Sequence, residues 1–142
     1  MRRIALVAGM FVLGAAIVTT GVRAQTKEVD LDATMKKVGP AFAALRKSIE
    51  AMDAKMAKEQ TEILEKSFDD VEKFFESKGK HDGHQWASDA KKVVDTIEKA
   101  AGDSKWDEVK ASAGSLGKTC QTCHTAYREK AEDGTYRMKP GN

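Results

Sequence analysis

The sequence predicts an all-α fold, an antiparallel up-down-up-down four-helix bundle, and three observations lead there. Apolar residues recur in alternating steps of three and four along four separate stretches, the spacing of a helix face that packs on its neighbours. The breaks between these stretches are short, so consecutive helices are expected to lie side by side and run in opposite directions. No stretch alternates apolar and polar residues as a half-buried strand would. A length of 142 residues with 41% hydrophobic content suits one domain with one core.

The chain opens on a segment outside this pattern. Arg2 and Arg3 precede an apolar run from Ile4 to Val18, and Val22-Arg23-Ala24 ends on a small residue, the arrangement of an export signal cleaved before Gln25. The run is short for a membrane span, which needs about 20 apolar residues, so the mature chain is not expected to be membrane-embedded. Export of this kind predicts a periplasmic location. Removing residues 1–24 takes away three arginines and no acid, leaving 21 basic against 22 acidic residues, so the formal charge of +2 belongs to the signal. A nearly neutral mature chain gives no ground for nucleic-acid binding.

The first helical stripe is Leu31, Met35, Val38, Phe42, Leu45, Ile49 and Met52. Pro40 interrupts it and cannot donate to Lys36, so the helix either bends or restarts there. The unbroken spacing on both sides favours a bent, continuous helix. A turn near Met52 to Lys55 leads to the second stripe, Leu64, Phe68, Val71 and Phe75. Lys78-Gly79-Lys80-His81-Asp82-Gly83 reads as the next turn, and the third stripe is Trp86, Ala90, Val93, Ile97 and Ala100. Gly102-Asp103-Ser104 breaks the chain again, with Ser104 and Asp107 spaced as a capping box. The fourth stripe is Trp106, Val109, Ala113, Leu116, Cys120, Cys123 and Tyr127. The four-helix domain is thus expected over 25–131, with a tail at 132–142 whose Gly134, Pro140 and Gly141 carry no stripe and predict fraying or a surface path.

Cys120-Gln121-Thr122-Cys123-His124 is the most specific chemical signal in the chain. In an exported protein the C-x-x-C-H spacing predicts covalent attachment of one haem c. Cysteines at i and i+3 share one side of a helix, where two thiols can form thioethers with the two vinyl groups of a porphyrin, and His124 one residue on projects toward the iron. The competing uses fit less well. A disulfide at this spacing within a helix is strained, a thioredoxin-like pair requires a βαβ setting, and zinc needs a fourth ligand that only His81 or His84 would supply. Because both cysteines occupy stripe positions, the ring is expected within the bundle near its end. Gly114 and Gly117, each costly in a helix interior by about 1 kcal/mol, suggest room for the ring edge or for a neighbouring helix.

In these residues the chain resembles the class II c-type cytochromes, which include cytochrome c prime and its low-spin relatives. The likeness rests on four exported helices, attachment in the last helix, the extended motif from Cys120 to Arg128 with Tyr127 and Arg128 in place, and Met35-Lys36-Lys37-Val38-Gly39 in the first helix. The chain departs from the family in having Leu31 where an arginine often stands and in placing Pro40 directly after the glycine. The resemblance implies a periplasmic carrier of single electrons whose distal position falls at Met35. Low-spin members ligate iron through a methionine there, whereas cytochrome c prime keeps a five-coordinate iron that binds nitric oxide or carbon monoxide. A thioether is a soft ligand suited to a reversible couple, while a methionine in a helical stripe also serves as packing. The family likeness further implies that Arg128 meets a haem propionate or flanks the proximal pocket, that the partners are periplasmic redox proteins, and that a homodimer is possible.

Other candidates rank lower. Met52 and Met56 fall at the first turn, Met138 in the tail, and His84 in a polar turn; Phe42 and Trp86 pack either on the ring or on the core. Lys118, Arg128 and Lys130 are interleaved with Glu129 and Glu132, which reads as a mixed surface. No nucleophile triad, phosphate loop or paired carboxylates suggest an enzyme.

Overall fold

A computed structural model describes residues 29–141, so the expected signal segment and its cleavage point lie outside the described residues. Four helices follow one another: α1 at Leu31–Ala51, α2 at Ala54–Ser77, α3 at His81–Gly102 and α4 at Trp106–Tyr127. Each helix packs on the next in sequence, and a common core runs between them through Leu45, Leu64, Phe75, Val94, Ile97, Val109 and Leu116. The approach of α1 to α4 is much sparser than any of these consecutive pairings. No helix among the described residues is long and apolar enough to cross a membrane.

Local chemistry accounts for the boundaries. The Asp30 carboxylate accepts from the Ala33 N–H at 3.0 Å and starts α1. That helix continues through the exposed Pro40 without restarting, as its spacing predicts. Met52 closes it in the left-handed region at φ 53°, and Asp53 at once caps α2 by accepting from the Met56 N–H at 2.9 Å. One residue thus ends a helix and the next begins another. After α2, Gly79 turns at φ 65°, and the Lys80 N–H returns to the Phe75 carbonyl at 2.9 Å.

Three local expectations are corrected. The segment His81-Asp82-Gly83 is the first turn of α3 and not a loop, because Lys80 already occupies the cap position. Ser104 forms no capping box with Asp107. It sits in the left-handed region at φ 59° with its N–H bonded to the Ala101 carbonyl, and Lys105 precedes α4 without a side-chain cap. In the third stripe Val94 faces the core and Val93 is only half-buried.

The tail also differs from expectation, since part of it pairs as strands. Residues Arg128–Lys130 (β1) and Tyr136–Met138 (β2) form an antiparallel hairpin with Glu129 opposite Arg137. Gly134 takes φ 84° in the turn, and Asp133 accepts from the N–H and hydroxyl of Thr135. Three-residue strands offer no alternation long enough to read, which is why the sequence hides them. The hairpin closes back on α4: the Lys139 N–H reaches the Tyr127 carbonyl at 2.8 Å and its ammonium the Thr125 carbonyl at 2.6 Å, satisfying acceptors that a helix end leaves open.

Candidate functional site

The last three turns of α4 bring the expected chemistry to one place. Cys120 and Cys123 are half-buried free thiols on the inner side of the helix, and His124 is half-buried beside them. A narrow apolar cleft opens there, lined by side chains from all four helices: Met35 and Val38 of α1, Phe68 and Val71 of α2, Trp86, Ala87 and Ala90 of α3, and Thr119, Cys120, Cys123 and His124 of α4. Met35 thus stands 85 residues before Cys120 in the chain and shares a lining with it. The charged residues of the four helices take no part in this lining.

On the other side of the same turn lies an open polar groove of about 480 Å³. Gly117, Cys120, Gln121, His124, Thr125 and Arg128 border it together with Glu129, Lys130 and Tyr136 of the hairpin. Cys120 and His124 border both spaces, so the turn separates an apolar interior from a polar exterior.

The electrostatics follow from burial. Loss of water pushes both thiols up, Cys123 to about 11, where the proximity of Cys120 and of the Asp82 carboxylate adds to the effect. Burial first and the Arg128 guanidinium second hold the His124 imidazole below its ordinary range. Burial thus favours the protonated form of both thiols. Among the described residues, no three His, Cys, Asp or Glu side chains converge to hold a metal ion, so the zinc set with His81 or His84 is not assembled.

Arg128 borders the polar groove together with His124. The backbone turns extended at this residue, with φ −106° and ψ 137°, so it does not continue the His124 face of α4 by helical spacing. Its guanidinium instead stacks 4.2 Å from the centroid of the exposed Tyr136 ring. Trp86 lines the cleft, whereas Phe42 stands opposite Gly117, whose added Cβ would meet its ring at 3.9 Å. An added Cβ on Gly114 would meet nothing within 4 Å. Met52 and Met56 are exposed at the first turn, away from this lining, and Met138 is half-buried against the core.

Sequence reasoning passed over the support behind the turn. The Tyr127 hydroxyl donates to the Asp82 carboxylate in the first turn of α3, and the buried Tyr127 ring lies 4.7 Å from Phe75 and 6.1 Å from Trp86 between centroids. Gly83 is pressed against Phe75 so closely that a Cβ would stand 2.4 Å from its ring. The signal available in the sequence was the glycine itself, which reads as a turn until the helix is seen to begin earlier.

Two thiols, an imidazole and a thioether around an apolar lining are the donor set that covalent haem attachment and axial ligation require. Comparison with known protein families, with curated proteins and with solved structures finds no match to this chain.

Proposed function

We propose that the chain is an exported c-type haem protein of the class II kind that carries single electrons, held to its ring by thioethers at Cys120 and Cys123, with His124 proximal and Met35 distal. The observation that carries this reading is the cleft in which Met35 of the first helix joins Cys120, Cys123 and His124 of the last. Bound haem would supply a one-electron couple, and everything else is the protein's work. The cysteines would fix the ring to α4, and Phe68, Val71, Trp86 and Ala90 of the same lining would offer it an apolar surrounding that excludes water. The cleft encloses only about 30 Å³, so the ring requires neighbouring elements to part, and α1 is joined to α4 far more sparsely than α3 is.

The up-down-up-down order belongs to the same reading. It is supported by Trp86 near the start of α3 lying against Tyr127 at the end of α4, and by Lys91 of α3 pairing back to Asp69 and Glu72 of α2. Periplasmic export rests on residues 1–24, and redox proteins of that compartment are the partners it implies. Arg128 and Lys130 at the polar groove are where an acidic partner or a propionate would be met. A homodimer rests on the family likeness.

Optical spectra of the ferric and ferrous protein test the ligand assignment. A six-coordinate low-spin wild type that becomes high-spin in Met35→Ala is expected. A high-spin wild type would overturn distal ligation and assign the cleft to capture of nitric oxide or carbon monoxide.

A further inference from the structure

Asp82 and Tyr127 lie outside the ligand set, yet their hydrogen bond ties the start of α3 to the end of α4. Its placement is specific. Tyr127 is three residues after His124, at the final position of α4, and Asp82 is the second residue of α3. The carboxylate accepts the Tyr127 hydroxyl and also the Gly83 N–H at 2.9 Å, so it is fixed at the positive end of α3 while it grips the end of α4. The tyrosine ring is buried against Phe75 and Trp86, and Trp86 in turn lines the cleft beside Cys123 and His124. A hydrogen bond to a charged group on a buried ring defines one rotamer and one helical phase far better than apolar contact alone.

From this we infer that Asp82 and Tyr127 are positioning residues: through their hydrogen bond they set the rotation of the last turn of α4, and with it the direction in which His124 presents its imidazole to the iron. The inference rests on the proposed haem reading. Neither residue lines the cleft; each acts through the backbone turn that carries His124. Apolar packing by Phe75 and Trp86 holds the tyrosine ring in place whether or not the hydroxyl is present, so the fold and the angular setting of the turn are separable.

The test uses the haem-loaded protein with Tyr127→Phe, Asp82→Ala, Asp82→Asn and the double variant Asp82→Ala/Tyr127→Phe. All should retain covalent haem. Low-spin ferric electron paramagnetic resonance reads the setting of the axial ligands, and hydrogen exchange reads the 124–127 amides. Tyr127→Phe and Asp82→Ala should shift the g values in the same sense and speed amide exchange about tenfold, the scale of losing one hydrogen bond to a charged group. The double variant should shift no further than either alone, and Asp82→Asn, which keeps an acceptor, should move less. A haem-loaded Tyr127→Phe with unchanged g values would overturn the inference, as would additive shifts in the double variant. A wild-type chain without covalent haem would instead remove the functional reading and this inference with it.

Discussion

The α2–α3 seam and the α1–α4 seam use helices of the same kind and are finished in different ways. Between α2 and α3, Leu64 and Ile97 are wholly buried, Gly83 lets the helix rest on Phe75, and Lys91 pairs with Asp69 and with Glu72 at 3.0 Å. Thr61, also buried, donates to Glu98 at 3.3 Å. Between α1 and α4 the facing residues Met35, Phe42, Gly117, Cys120 and Cys123 remain half-buried. Away from the cleft the first seam is closed by side chains alone, at Leu64, Ile97 and the Gly83–Phe75 contact. The second is completed, on the proposed reading, by the ring. An apolar stripe therefore announces that something packs on it without saying whether the filler is another side chain or a prosthetic group.

The largest expected effect comes from depriving the second seam of its proposed filler. In Cys120→Ser with Cys123→Ser, haem should no longer remain with the chain through denaturing electrophoresis, and amide protection should fall throughout α1 while α2 and α3 stay the most protected elements. Retention of haem by this variant would disprove covalent attachment. An equal loss across all four helices would break the distinction between the seams.

Substitutions within the finished seam need no haem to take effect. Leu64→Ala empties a site with 0% exposure, and a buried leucine so truncated costs about 2–5 kcal/mol. Denaturant unfolding should show that loss with and without the ring. Gly83→Ala sets a helix-propensity gain of about 1 kcal/mol against overpacking of about 1–3 kcal/mol. Overpacking should win, because the new Cβ would stand 2.4 Å from the ring of the buried Phe75, which has no free space to enter. Gly114→Ala on α4 is the counterpart. Its Cβ meets nothing within 4 Å, so the propensity gain of up to about 1 kcal/mol should appear as added stability. Added stability in Gly83→Ala as well would mean that Phe75 yields to the new Cβ.

Periodicity made the four helices legible, because every stripe is long and ends in residues that suit a cap or a turn. It could not locate the start of α3, since His81, Asp82 and Gly83 have loop-like composition and become helical only because Gly83 fits beneath Phe75 and Asp82 can bond both Gly83 and Tyr127. The cysteines and histidine were legible as local spacing. Their meeting with Met35 was not, because it depends on two helices distant in sequence, and it came from the family likeness. The Asp82–Tyr127 bond spans 45 positions between two ordinary polar residues and has no sequence signature at all. Arg128 ends the helix in extended backbone and still borders the polar groove with His124, a placement that the hairpin after α4 decides and that local spacing does not carry.

The smallest effect lies where α3 and α4 meet, between the two seams, and is read through pH. Burial first, and then the hydrogen bond to Asp82 and its charge, push the Tyr127 hydroxyl from 10.0 up to about 12. A group whose acid form is favoured by folding stabilises fully below its unfolded value and loses that contribution as pH rises toward its folded value. Stability should therefore fall between about pH 10 and 12 more steeply in the wild type than in Tyr127→Phe, which has no proton to lose there. Lysines titrating over the same interval contribute to both chains and cancel in the difference. Denaturant unfolding of the two proteins at successive pH values gives that difference directly. Parallel curves would mean that the hydroxyl titrates alike in the folded and unfolded chains, and that Asp82 does not hold it.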